Sequence, residues 1–239
     1  MGLERASCTD LCHRWVTKFL FILREYEKMK SPARQATWVF RLIIETQLPA
    51  KAFKTRRNEL AELMDVIKGR RSIRRYQEQD VSDEMLNQLY EAVMWTPSWA
   101  NTQCWELIVV KDQETKEKLQ ETISKGNPAT KAMVNAPVVL ALCGRLERAG
   151  YYYGQVTTKF GDWLMFDLGL ATQNLCLAAC NLGLGTVIVG LFDHNRAKEV
   201  LAIPPGYEVV VLIPLGHPAR EPGAPKRREA DEFVHFNKF

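Results

Sequence analysis

The sequence predicts an α+β protein, and three observations point there. Four apolar runs have the length and composition of buried strands: "WELIVV" (105–110), "PVVLALC" (137–143), "TVIVG" (186–190) and "YEVVVLIPLG" (207–216). Helical segments lie among them, yet neighbouring strands are not joined in regular βαβ repeats, which favours layered α+β packing. One helical run, "DWLMFDLGLATQNLCLAACNLG" (162–183), is apolar nearly all round, the pattern of a helix buried at the centre of a fold.

The elements follow in order. Thr9 or Asp10 caps a first helix with Leu11, Trp15, Phe19, Ile22 and Tyr26 as its apolar stripe. Ser31-Pro32 starts a second, whose apolar run "WVFRLII" ends before Pro49. "PAKAFKTRR" reads as a basic linker, so a boundary is expected near residue 57, with residues 1–57 as a basic helical extension and 58–239 as the main domain. A third helix carries Leu60, Leu63, Met64 and Ile67 and stops at Gly69. Ser82 caps the next, with Met85, Leu86, Leu89, Tyr90 and Val93 facing inward and Pro97 breaking it. "DQETKEKLQETIS" is a polar-faced helix, and Arg196 to Ala202 a short one.

Composition sets limits on function. The 239 residues are 46% hydrophobic and 25% charged, ordinary values for a globular chain, with a formal net charge of +4. That charge is uneven: residues 1–75 hold 17 Lys/Arg against 8 Asp/Glu, and the remainder 15 against 20. The basic lead segment is read as solvated helix faces rather than as a nucleic-acid site. No run approaches the ~18 apolar residues of a membrane span. "WVTKFLFIL" contains Lys18 and lacks a small-residue cleavage site, so a cytosolic protein without a membrane partner is expected. The six cysteines are then reduced, with Cys176 and Cys180 in the core. Cys8, Cys12 and His13 form C-x-x-x-C-H, which is too long for haem attachment and has no second ligand pair for zinc, so no metal is expected.

Two nucleotide signatures fail. "GLGTVIVG" (183–190) follows a helix and enters a strand, the reverse of a dinucleotide fingerprint, and there is no phosphate loop of the G-x-x-x-x-G-K-[ST] type. His13, His194, His217 and His235 are scattered, and no Ser-His-Asp set appears, so no protein side chain is singled out as catalytic. What remains is a series of short segments: the arginine turn "RRSIR" (70–74), "TPSWANTQCW" (96–105), "GLGTVIVG", and "IPLGHP" with "PKRR" near the end.

From about Leu60 onward, the order and spacing of these segments resemble the nitroreductase family of FMN-dependent oxidoreductases. R-R-S-x-R is matched by Arg70, Arg71, Ser72 and Arg74, and P-S-x-x-N-x-Q-P-W by Pro97 to Trp105. G-L-G is matched by Gly183 to Gly185, P-L-G-x-P by Pro214 to Pro218, and K-x-R by Lys226 and Arg228. Cys104 stands where the second motif has proline, and residues 1–57 have no counterpart in the minimal domain. The resemblance implies a layered fold with a mostly antiparallel central sheet flanked by helices, and a homodimer with FMN at the interface.

It also implies roles. Arg70, Arg71, Lys226 and Arg228, with Ser72, hold the flavin phosphate, because guanidinium offers a planar fork to its oxygens. Arg74 lies by the N1–C2=O edge of the ring and stabilises negative charge there after reduction. Pro97, Ser98, Trp99 and Asn101 reach the cofactor from the partner chain, the backbone at Val189–Gly190 approaches N5, and Asn127 makes a polar contact. Tyr151, Tyr152, Tyr153, Phe160 and Trp163 shape the substrate side as an aromatic wall, with dimer packing as the alternative role. The implied activity is hydride transfer from NAD(P)H through FMN to an electron-poor acceptor such as a nitroaromatic or quinone. Dehalogenation and flavin cleavage remain open as other reactions of the fold. A flavin-binding protein without turnover, docking a partner through its basic helices, is the contrasting class.

Overall fold

A computed structural model describes residues 63–239, within a compact unit spanning Ala61–Phe239. The helices expected over residues 9–48, the basic linker and the Cys8–Cys12–His13 group lie outside the described residues.

In chain order the elements are α1 (Leu63–Gly69), α2 (Asp83–Met94), β1 (Trp105–Val110), α3 (Gln113–Thr122), α4 (Thr130–Asn135), β2 (Val138–Arg145), β3 (Tyr151–Tyr152), β4 (Gln155–Val156), α5 (Leu164–Asn181), β5 (Gly185–Thr186), α6 (His194–Val200) and β6 (Tyr207–Gly216). A four-stranded sheet runs β1-β2-β6-β5 with every pairing antiparallel, and β3 and β4 form a separate hairpin.

The layering follows from alternation along the central strand. Successive side chains of a strand point to opposite faces, and β2 is apolar on both. Val138, Leu140 and Leu142 join Leu86, Leu89 and Val93 of α2 and Leu168 and Leu175 of α5 in one core. Val139, Ala141 and Cys143 face the other way, into Leu119 of α3, Met133 of α4, Ala197 of α6 and Phe192 just ahead of it. The sheet is therefore sandwiched between α2/α5 and α3/α4/α6. α5 is the helix apolar on most sides, as its sequence predicts.

Local chemistry sets the helix ends. Ser82 Oγ accepts the Met85 N–H at 3.3 Å, and Asp112 Oδ2 accepts that of Thr115 at 2.7 Å. α5 closes on Gly183 at φ +73°, with the Leu184 N–H returning 2.8 Å to the Ala179 carbonyl, a left-handed stop that glycine makes without strain.

Two expectations need correction. The strand expected over 186–190 is a ladder only at Gly185–Thr186; Val189 rejoins β6 as a single bridge to Leu212, with N–H···O contacts of 2.9 Å in both directions. Pro214 is the cause. Its carbonyl accepts the Val187 N–H at a long 3.4 Å, and it has no N–H to return. The short helix expected from Arg196 begins instead at His194, because Asp193 caps it by accepting the Arg196 N–H at 3.0 Å.

Candidate active site

The arginine turn is laced to the sheet edge by backbone. Ser72 bridges Thr186, the Ile73 N–H donates to the Thr186 carbonyl at 2.8 Å, and that of Gln77 to the His217 carbonyl at 2.9 Å. The Ala219 N–H returns to the Arg75 carbonyl at 3.0 Å. The Tyr76 hydroxyl lies 2.8 Å from the Ile73 carbonyl and 2.9 Å from that of Pro214, and burial pushes its pKa well up, so it stays a neutral donor. Ile73 is buried and seats against Gly185: a Cβ there would lie 2.5 Å from Ile73 Cγ1. Three of the matched segments therefore meet here, and the second glycine of "GLG" is required by close approach.

At this junction Arg70, Arg71, Gly183, Gly185, Thr186 and Glu221 line a cleft of about 60 Å³. Small-molecule pockets run to roughly 300–1,000 Å³, so this cleft has the size of a small anion. Arg71 Nη1 also donates to the carbonyls of Lys68 and Arg70, closing off α1. Among the described residues no carboxylate forms an ion pair with Arg70, Arg71, Arg74 or Arg75. Clustered guanidinium groups without an acid partner fit a phosphate dianion. Val189 and Gly190 continue along the same sheet edge. Gly190 is exposed, and no atom lies within 4 Å of where its Cβ would be, so packing inside the chain does not demand a glycine there.

Lys226 and Arg228 are not brought to this cleft. Both sit in the exposed stretch after β6, where Arg228 meets the Glu232 carboxylate at 3.5 Å and stacks 5.7 Å over the Phe233 ring. Asn127 serves its own loop: its side-chain oxygen accepts the Ala129 N–H at 2.9 Å just ahead of α4.

A second cluster forms at the turn between α2 and β1. Ala100, Asn101 and Gln103 hold φ of 44°, 54° and 46°. Each such non-glycine residue costs about 1–3 kcal/mol and persists only where its surroundings over-determine it. Here Ser98 Oγ accepts the Gln103 N–H at 2.9 Å, and Gln103 Nε2 donates to Asn101 Oδ1 at 3.1 Å. The Trp99 N–H donates to Asp167 of α5, 3.1 Å from each carboxylate oxygen. Asp167 is 0% exposed, and Cys104 Sγ lies 3.7 Å from its Oδ2. Burial pushes the Cys104 pKa up to about 12, aided by the Asp167 charge, so it remains a thiol and donates.

The aromatic segment packs on this cluster. Tyr152 of β3 lies 4.7 Å from Trp99 between ring centroids; Trp163 lies 6.2 Å from Phe160 and 5.3 Å from Phe166. Tyr151 is half-buried, whereas Tyr153 and Phe160 are exposed, so the hairpin presents an open aromatic surface.

Sequence reasoning missed Asp167, whose carboxylate ties the Pro97–Asn101 turn to the central helix. Its burial raises its carboxyl above the usual 3.8, outweighing the Trp99 and Cys104 hydrogen bonds that favour the ionised form. A carboxyl with a raised folded-state pKa adds stability below its unfolded value and loses that contribution as pH rises through the folded one. Asp167→Asn removes this dependence. The stability of wild type relative to the variant is expected to fall as pH climbs from about 4 toward neutrality, read as the difference in denaturation midpoints across that range.

The two clusters sit toward opposite ends of α5. Cys180, beside the arginine cleft, and Asp167, beneath Trp99, are thirteen residues apart, roughly 20 Å along a helix axis. Among the described residues no group of three His, Cys, Asp or Glu is placed to hold a metal, and no helix is long and apolar enough to cross a membrane.

Fold and site together define an α+β sheet protein with an arginine-lined edge and an aromatic shelf. Residues 67–217 match the model of the nitroreductase family, and the chain belongs to that family. It is 34% identical over 185 residues to a relative from Methanothermobacter thermautotrophicus named for NADH dehydrogenase and NAD(P)H nitroreductase, covering 74% of this chain and 88% of that one. It is 32% identical over 188 residues to the FMN reductase [NAD(P)H] of Bacillus subtilis, covering 74% of each. Among solved structures, the NADPH:FMN oxidoreductase of Vibrio harveyi complexed with NAD+ superposes with a TM-score of 0.63 at 25% identity, over 74% of this chain and 77% of that one.

Proposed function

We propose that the protein is an FMN-dependent NAD(P)H oxidoreductase that acts as a homodimer, with each active site shared between two copies. FMN held here would supply the redox chemistry, hydride transfer between NAD(P)H and the acceptor through its N5. The chain supplies position and charge. Arg70 and Arg71, with Ser72, hold the phosphate at the end of the "GLG" turn. Arg74, on the exposed side of the same segment, stands by the ring edge where negative charge develops. Gly190 offers exposed backbone beside the ring, and Val189, whose own N–H and carbonyl are engaged with Leu212, seats it there. Lys226 and Arg228 remain in this assignment as cations that the tail brings in, and Asn127 as a polar contact beyond its loop role.

The observation that carries the homodimer is the separation along α5. The arginine cleft has the size of a phosphate, and Asp167, which holds the turn of Pro97, Ser98, Trp99 and Asn101, stands roughly 20 Å along α5 from Cys180 beside that cleft. The two halves lie toward opposite ends of the helix, and in this reading a second copy supplies the turn and its aromatic hairpin. Tyr151, Tyr152, Tyr153, Phe160 and Trp163 then form a wall suited to planar, electron-poor acceptors such as quinones and nitroaromatics. Residues 1–57 are a separate extension of the domain that begins near residue 58. Cys104, Cys143, Cys176 and Cys180 are all unbridged, in keeping with a reducing compartment such as the cytosol.

Subunit mixing tests the shared site. One chain carries Arg70→Ala with Arg71→Ala; the other carries Trp99→Ala with Asn101→Ala. Each variant alone is expected to bind FMN poorly, and mixed dimers to regain one intact site per dimer. Mixed dimers no better than the parents would overturn the shared site.

A further inference from the structure

Asp167 and Cys104 form a pair that the reading above leaves without a task. Asp167 is fully buried in the first turn of α5, and among the described residues no cation pairs with it. An uncompensated buried carboxylate is unfavourable for stability alone, so its retention calls for a role in positioning. Its two donors are the Trp99 N–H, at 3.1 Å from both oxygens, and the Cys104 thiol at 3.7 Å. Both come from the ends of the strained turn.

The other hydrogen bonds on that turn are internal or lie at its flanks, where Asn174 of α5 donates 2.9 Å to Thr96 Oγ1 just ahead of it. The Asn101 N–H returns to the Ser98 carbonyl at 3.1 Å and the Thr102 N–H to that of Trp99 at 2.9 Å. Beyond the turn, the Arg145 N–H reaches the Cys104 carbonyl at 2.8 Å. Internal bonds set the shape of a turn but not its place on the molecule. The carboxylate is the hydrogen-bonded link from Trp99 to α5, beside the apolar packing of its ring on the core, and Trp99 in turn carries Tyr152 of the aromatic hairpin. Cys104 stands where the motif quoted above has a proline, whose side chain has no donor, so here the carboxylate gains a second partner.

We infer that Asp167, braced by the Cys104 thiol, is a positioning residue that holds the Pro97–Asn101 turn and its attached hairpin in the one geometry that meets the flavin ring of the partner copy. This rests on the flavin reading proposed above. The pair touches neither cofactor nor substrate and acts through Trp99. It follows that the two side chains are coupled: removing either donor or acceptor releases the same turn, so the second loss adds little.

A double-mutant cycle tests this on the FMN-loaded protein, using Asp167→Asn, Cys104→Ala and the double variant. FMN dissociation constants, the visible circular dichroism of bound flavin, and kcat and KM with NADH and a quinone are measured beside the thermal midpoint. Each single variant is expected to bind FMN about tenfold more weakly, the loss of one charged hydrogen bond, with a changed flavin dichroism band. The double variant is expected to resemble the weaker single one, short of the product of the two effects. Variants that lose thermal stability but keep wild-type FMN affinity and dichroism would overturn the positioning role, as would strictly additive effects. If Asp167→Asn fails to fold, Cys104→Ala and Cys104→Pro carry the test: both lack the donor, and wild-type affinity and dichroism in both would overturn the proposal. A wild-type protein that takes up no FMN overturns the flavin reading, and the positioning role with it.

Discussion

Replacing Arg70 and Arg71 together by alanine is expected to weaken FMN binding by about 100-fold or more while leaving the sheet intact. A hydrogen bond to a charged group contributes about 1.5–3 kcal/mol, and a tenfold change in affinity corresponds to about 1.4 kcal/mol, so two such contacts give at least that factor. These two guanidinium groups line the cleft beside Gly185 and Thr186, and among the described residues no acid pairs with them. Arg71 also closes α1, so a fall of a few degrees in thermal midpoint accompanies the change. Titration of the apoprotein, followed by quenching of FMN fluorescence, reads the constant. An affinity within threefold of wild type would remove the cleft from the phosphate site. Arg228→Ala tests the tail separately: weaker FMN binding is expected, and an unchanged affinity would leave Arg228 to Glu232 and Phe233 alone.

Gly185→Ala is the second change expected to act strongly, and through packing rather than charge. The new methyl would lie 2.5 Å from Ile73 Cγ1, 2.7 Å from its Cβ and 2.8 Å from its Cγ2. Ile73 has nowhere to retreat, because its N–H is fixed to Thr186 and the Tyr76 hydroxyl holds its carbonyl. Overpacking of this kind costs about 1–3 kcal/mol. Ile73 stands between Arg71 and Arg74, so its displacement moves both arginines. Loss of stability and loss of FMN affinity are therefore expected together. Ile73→Ala in the same background makes room for the methyl and is expected to recover FMN binding in part. A Gly185→Ala protein with wild-type stability and FMN binding would show that the arginine turn is not seated as described.

Much of this was legible in the chain. The apolar runs at 105–110, 137–143 and 207–216 each became a strand: β2 and most of β6 are buried on both faces, which leaves a continuous hydrophobic signal, and the half-buried β1 reads through its β-branched residues. The central helix announced itself by the same lack of a polar face. Elements that depend on a few residues were harder. β5 shrank to two residues because of Pro214 on the neighbouring strand, a cause that sits 27 positions from Val187 in sequence. α4 spans Thr130–Asn135, too short for a helical period to register. The β3–β4 hairpin turns at Tyr153 with φ 48°, where a tyrosine gives no turn signal, and only Gly154 hints at it.

The site was legible in part for the same reason. Arg70 to Arg74, Gly183 to Gly185 and Pro214 to Pro218 do converge, through backbone bonds that no composition rule foresees. Asp167 was hidden because a lone acid in an apolar helix reads as an interruption, and its partner Trp99 is 68 residues distant. Lys226 and Arg228 carry the right charge, but charge alone does not say where a tail goes. The separation of Trp99 from the arginine cleft was also invisible: the two segments are close in sequence and lie toward opposite ends of one helix.

The most direct test of the central claim is the visible absorption spectrum of the purified protein, recorded before and after anaerobic addition of NADH and then NADPH. The account predicts a yellow flavin band that at least one nucleotide bleaches and that returns when a quinone is added. A flavin band that neither nucleotide bleaches would contradict the oxidoreductase and favour a flavin-binding protein without turnover. No flavin band, even after added FMN, would contradict the cofactor assignment and leave the arginine turn to some other anion.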